Sequence, residues 1–312
     1  MRVVALAGGV GGAKLIDGLA KCLSPKQLTI IVNTGDDFDH FGLRICPDLD
    51  TICYTLAGLA NFDTGWGRSH ESWNSIEQIS SLGGPDWFKI GDKDLGIHLE
   101  RTRRIRDGQE LSQITRDFCK SLGIPYIILP MTDQDVSTII NTLEFGELAF
   151  QEYFVKNQCR PVIKNIFFRG SNSASPSSGV IEAIKQCDAV IFCPSNPWVS
   201  INPILSIPGI INEIKLKPVV SISPLVGGKA VKGPAAKMFQ ELGFQPTVLA
   251  VAEFYKDIIH AIVIDQIDKN YSNEIKSLGI IPLITNIIMT SIEDRARLAQ
   301  EVLDFTEKML SG

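Results

Sequence analysis

Apolar and polar positions follow two different periods along this chain. Val3-Val4-Ala5-Leu6 is a continuous apolar run and predicts a buried strand, and Leu15-Ile16-Asp17-Gly18-Leu19 opens an amphipathic helix. A second strand is expected over 28–33 and a helix over 49–59. After about residue 175 the alternation returns. It predicts a helix over 178–186, a strand over 188–192, a helix over 204–214, a strand over 218–222, a helix over 234–242, a strand over 247–252 and a closing helix over 291–310. Short, near-continuous apolar strands between helices imply a parallel sheet covered on both faces. The predicted fold class is therefore α/β, with a doubly wound, mostly parallel (Rossmann-like) sheet.

The middle third breaks this rhythm. Trp66, Trp73 and Trp87 stand among polar, glycine-containing segments, and an Arg-rich helix is expected over 94–105. Residues 136–150 alternate on both sides of Gly146, which is a hairpin pattern and hence antiparallel. We therefore expect a core made of 1–60 and 176–312, and an inserted α+β cap region over 61–175 on the carboxyl edge of the sheet. The polar segment 171–178 is the return linker. The hairpin near 136–154 offers a surface for pairing in a homodimer.

Composition narrows the partners. A formal charge of −5 argues against nucleic acid, whose phosphate backbone calls for a basic surface. The seven cysteines are scattered and never form C-x-x-C, as expected of free thiols in a reducing cytoplasm. The four histidines are dispersed, which disfavours zinc. No signal segment precedes the first strand and no apolar stretch is long enough to cross a membrane. A cytoplasmic protein with small-molecule substrates is expected.

The candidate chemistry lies where strands end. Gly8, Gly9, Gly11 and Gly12, followed by Lys14, join the first strand to its helix, and a helix N-terminus with bare N–H groups suits phosphate. The loop is not a Walker A loop, because Ala13 and Leu15 flank Lys14 and no hydroxyl is available for a metal. Nor is it the dinucleotide fingerprint, because Lys14 falls where the third small residue should pack. Asp36-Asp37 and Asp48-Leu49-Asp50 follow, and carboxylates beside an anion cradle call for a divalent metal between them. Asp48 and Asp50 also suit the start of a helix. Asp36 and Asp37, at the end of the second strand, suit a ribose hydroxyl.

Two later loops also follow strands. Residues 193–203 include Ser195 and Asn196 in a proline-stiffened segment that suits ligand binding or helix capping. Residues 223–235 carry Gly227, Gly228, Lys229 and Lys232, a second phosphate contact or an ordinary solvated loop. In Gly91-Asp92-Lys93-Asp94 a cation sits between two acids before a helix. The basic run 101–106 reads as a solvated face, and His40 as structural.

Taken in order, these segments resemble the 2-phospho-L-lactate transferases of coenzyme F-420 biosynthesis. The resemblance rests on the glycine loop with Lys14, Asn33-Thr34, Asp36-Asp37, 47–51, Gly91-Asp92-Lys93-Asp94, Ile105-Arg106-Asp107-Gly108 and 129–133 leading to 136–138. It continues through 194–197, Ser200-Ile201, Ser223-Pro224, Gly233-Pro234-Ala235 and Met289-Thr290-Ser291. The resemblance implies transfer of a 2-phospholactyl or phosphoenolpyruvyl group from a guanosine diphosphate-linked donor to the terminal ribityl hydroxyl of the deazaflavin FO, releasing GMP with Mg2+. It implies that Asp50 and Lys93 contact FO, with Lys93 where some relatives carry Arg. The expected catalytic and metal residues are Asp48 and Asp50. The donor is expected on Gly8, Gly9, Gly11, Gly12, Lys14, Ser195, Asn196 and Gly228, and the deazaflavin against Trp66 or Trp87. A related non-catalytic branch that binds nucleotide sugars or dinucleotides is the competing reading, disfavoured by 47–51 and 91–94 occurring together. An NAD-dependent oxidoreductase is disfavoured by the failed fingerprint.

Overall fold

The computed structural model describes residues 1–61, 64–231 and 233–311. Among them, seven strands form one central sheet: β1 (Val3–Ala7), β2 (Leu28–Val32), β3 (Ile127–Pro130), β4 (Ala189–Phe192), β5 (Val219–Ile222), β6 (Ala261–Asp265) and β7 (Ile281–Thr285). Every pairing is parallel, in the spatial order β7-β6-β5-β4-β1-β2-β3. That is the doubly wound order, and it reverses between β1 and β4. Strand alternation divides the core. Val4 and Leu6 of β1 face one apolar layer, while Val3, Ala5 and Ala7 face the other.

The first helix, α1 (Gly9–Cys22), begins inside the glycine loop rather than beyond it, with Gly8 as its cap. It packs on the closing helix α4 (Ile292–Ser311). At Gly18 a Cβ would collide with the Arg295 carbonyl oxygen, so glycine is what lets these helices approach. Beside that contact, Arg295 Nη1 lies 3.1 Å from Asp17 Oδ2, a buried ion pair joining chain start to chain end. The second helix, α2 (Pro47–Leu56), starts two residues earlier than its apolar period suggests, because Pro47 fits the first helical position.

The structure departs from the sequence reading at four places. Residues 247–252 are not a strand but part of a helix, Val248–Tyr255, whose N-cap Thr247 accepts from the Ala250 N–H at 3.1 Å. A short continuous apolar run has no period to separate buried helix from buried strand. The helix over 204–214 is broken between Asn202–Leu205 and Ile210–Ile214, where Gly209 takes φ of 91° after Pro208. Strands β6 and β7 add to the strands that the apolar runs predict. Finally, β3 lies within the stretch expected to be an insertion, yet it is the edge strand of the central sheet.

The helix Leu111–Ser121 packs on β3, with Cys119 and Ile124 in the core layer of the sheet, while a separate antiparallel sheet follows. The strand Ser137–Thr142 pairs antiparallel with Gly146–Ala149, as the alternation predicts, and on its other edge with Ile163–Arg169. The Arg-rich helix, α3 (Asp92–Arg106), packs over the hairpin Phe38–His40/Leu43–Ile45. No helix among the described residues is long and apolar enough to cross a membrane.

Candidate functional site

A cavity of about 680 Å³ opens at the carboxyl ends of β1 and β4, where the strand order reverses. Its floor is Gly8, Gly9, Gly11, Lys14, Asp36, Asp48, Asp50, Ser195 and Asn196. Five aromatic side chains also line the cavity, Trp66, Trp87, Phe88, Phe150 and Phe154. The rings of Phe150 and Phe154 stack with centroids 5.4 Å apart. Such a lining suits a ligand with a charged end and a flat apolar end.

The glycines of the floor act first through close approach. The Gly8 N–H donates to Ser195 Oγ at 3.2 Å, and that hydroxyl donates back to the Gly8 carbonyl at 2.8 Å. A Cβ on Gly11 would lie 2.5 Å from the Pro194 carbonyl oxygen, and one on Gly12 2.6 Å from Ser195 Oγ. Only Gly9 needs its freedom for conformation, with φ of 64° and open space around it. The helix N-terminus is not bare either. The Gly9 N–H donates to Asp48 Oδ1 at 2.7 Å, and Asn33 Nδ2 donates to Asp48 Oδ2 at 2.9 Å. Lys14 Nζ donates to the Met289 carbonyl at 2.9 Å at the cavity's edge. Asn196 lines the cavity while its side chain caps the next helical turn, accepting from the Trp198 N–H at 3.0 Å.

Burial sets the electrostatics. Asp36 and Asp48 are 5 % exposed each. Burial pushes the Asp48 carboxyl up to about 6, against the hydrogen bonds from Asn33 and Gly9. Burial and then the charge of Asp48 push Asp36 well above the carboxylate range, and its Oδ1 is buried without a hydrogen-bond partner. Asp37, behind the floor, is pushed up to about 8 by burial. Crowded, desolvated carboxylates with an oxygen to spare are a donor set that fits a hard divalent cation. Asp36 and Asp48 are the two of these that line the cavity.

Asp50 has different company. Arg101 grips both of its oxygens, Nη2 on Oδ1 and Nη1 on Oδ2, the latter at 3.1 Å. Arg101 is 3 % exposed, so reading the whole run 101–106 as a solvated face is corrected at this residue. The same helix brings His98 and Asp94 to the site, and Tyr54 of α2 donates to Asp94. Burial raises the Asp94 carboxyl, but the bonds and charge from His98, Tyr54 and Arg101 outweigh it and hold it low. These partners were legible only as spacing: 94, 98 and 101 share one helical face, as do 50 and 54.

The remaining expected residues lie further out. Lys93 is exposed, outside the cavity lining, with its ammonium on the His70 carbonyl. Asp92 accepts from the Asn74 and Ser75 N–H groups at the start of the helix Asn74–Ser81, while Glu71 accepts from the Lys93 and Asp94 N–H groups at the start of α3. Gly228, at φ of 74°, serves the tight turn between Leu225–Val226 and Lys229–Ala230 and does not line the cavity. Gly12 is buried within α1. Lys232 lies outside the described residues. His40 is buried among the rings of Phe38, Phe41, Trp87 and Phe88.

Comparison with known proteins agrees with the architecture. A member of the UPF0052 family from Bacillus halodurans has the same fold, with a TM-score of 0.62 at 16 % identity over 97 % of this chain and 98 % of that one. A phosphoenolpyruvate transferase from Kitasatospora aureofaciens is 39 % identical over the full length of both chains. A 2-phospho-L-lactate transferase from Methanocaldococcus jannaschii is 39 % identical over 97 % of each. The family description "2-phospho-L-lactate transferase CofD" matches residues 3–295. With all seven strands of the central sheet and the residues lining the cavity inside that match, the chain belongs to the CofD family of transferases in coenzyme F-420 biosynthesis.

Proposed function

We propose that this protein transfers a 2-phospholactyl or phosphoenolpyruvyl group from a guanosine diphosphate-linked donor to the terminal ribityl hydroxyl of FO. The observation that carries this reading is one cavity lined by the glycine loop and carboxylates and also by aromatic rings. The hydroxyl oxygen bonds to the phosphorus that bears the three-carbon acid, and the bond from that phosphorus to the bridging oxygen breaks. GMP departs with the bridging oxygen, and the hydroxyl proton passes to solvent or to the departing phosphate. No covalent enzyme intermediate is needed, so the protein's work is alignment and charge neutralisation.

Asp48 and Asp36 would hold Mg2+, which supplies neutralisation of the diphosphate's charge when bound. Ser195, Asn196 and the glycine loop would seat the donor diphosphate, with Lys14 at its edge. Asp50 would orient the ribityl hydroxyl, and the deazaflavin would lie against Trp66 and Trp87. Lys93 would reach FO only by leaving the His70 carbonyl. Titration of FO followed by its fluorescence, with and without GDP and Mg2+, tests the reading. Saturable binding strengthened by GDP is expected, followed by GMP release with one of the two donors. Binding of NAD or a nucleotide sugar without FO binding would refute it.

A further inference from the structure

We infer that Arg101 is a positioning residue that withdraws Asp50 from metal binding and holds its carboxylate for the acceptor hydroxyl. The inference rests on the transferase reading above and divides the acids of the cavity between two tasks. Asp50, Asp94 and His98 look at first like a metal site, since one ligand atom from each lies within 4.8 Å of the others. The chemistry of their neighbours excludes that use. A guanidinium has only donors, so where Arg101 Nη1 meets His98 Nδ1 at 3.2 Å, the histidine nitrogen accepts. The imidazole proton then sits on Nε2, which faces Asp94 Oδ1 at 3.5 Å. Nε2 makes no hydrogen bond, but with Nδ1 held as an acceptor it could ligate a metal only by giving up that proton. Any metal beside Asp50 would also face the fixed positive charge of Arg101 at close range.

The arrangement still leaves Asp50 a role. A carboxylate offers about four lone-pair sites, and a bidentate arginine uses two. Asp50 lines the cavity while Arg101 sits behind it, so the unused lone pairs are presented to a ligand. The aim is set by a fork of two hydrogen bonds on a helix that is itself anchored, through Asp94, to Tyr54 of α2. A lysine at 101 would keep the charge but lose the fork. Asp36 and Asp48, with the spare buried oxygen of Asp36, are left for the cation.

The test compares wild type, Arg101→Lys and Asp50→Asn, reading FO binding by fluorescence and Mn2+ binding by electron paramagnetic resonance in the presence of GDP. Thermal unfolding checks that each variant is folded. Arg101→Lys is expected to weaken FO binding about tenfold or more, the scale of a lost hydrogen bond to a charged group. Its Mn2+ affinity should stay within about twofold of wild type. Should Arg101→Lys not fold, Asp50→Asn carries the test, keeping Mn2+ and losing FO. Wild-type FO binding in Arg101→Lys, or loss of Mn2+ in folded Asp50→Asn, overturns the inference, as does a wild type that takes no Mn2+. A wild type that binds Mn2+ but no FO strikes the transferase reading instead.

Discussion

Replacing Gly8 by alanine should disable the acidic floor of the cavity, and the reason is steric rather than conformational. Gly8 has φ of −154°, extended backbone that alanine adopts freely. Its added Cβ would stand 2.5 Å from Asp48 Oδ2 and 2.8 Å from Ser200 Cβ. Neither neighbour yields easily. Oδ2 is tied to Asn33 Nδ2 at 2.9 Å, and a Cβ moves only with its backbone. Overpacking of this kind costs about 1–3 kcal/mol. If Asp48 is pushed off the Gly9 N–H, a charge-assisted bond worth a further ~1.5–3 kcal/mol goes with it. A total loss of roughly 2.5–6 kcal/mol in urea unfolding is expected, together with weakened Mn2+ binding.

Gly9→Ala is the control. Its φ of 64° strains a side chain, but nothing lies within 4 Å of the new Cβ. It should cost only about 1–2 kcal/mol and leave Asp48 in place. Ser200→Gly, added to Gly8→Ala, removes one of the two collisions and should restore part of the stability. The reasoning is refuted if Gly8→Ala matches wild type in stability and Mn2+ binding, or if Gly9→Ala costs more than Gly8→Ala.

Two further outcomes follow from buried charge. Because burial raises Asp48 to about 6, above its value of about 4 in the unfolded chain, its stabilising contribution is present at low pH. That contribution is lost as pH rises from about 4 through 6, at roughly 1.4 kcal/mol per unit of difference. The stability of wild type minus that of Asp48→Asn, measured without divalent cations, should therefore fall across that window, and a flat difference would refute the assignment. Asp17→Asn removes the carboxylate that Arg295 and Lys21 share and should cost about 3 kcal/mol in urea unfolding, and an unchanged midpoint would show that these pairs contribute nothing.

The residue pattern alone determined the α/β class, the glycine-loop start, the hairpin about Gly146 and three of the acids that reach the cavity, Asp36, Asp48 and Asp50. Those features are local: an apolar run ending in glycine, a period of two, carboxylates directly after strands. It misassigned 247–252 and passed over β3, β6 and β7, because a strand four or five residues long is recognised by its neighbours in the sheet more than by its own composition. What each acid does was decided only in three dimensions. Asp48 and Asp50 are two residues apart on one helix, yet one faces the Gly9 N–H and Asn33 while the other is gripped by Arg101. Arg101 in turn sits in a run that reads as surface, and burial against α2 makes it part of the site. A charge's partner, and hence its chemistry, is set by contacts across 51 residues of chain, which no local pattern records.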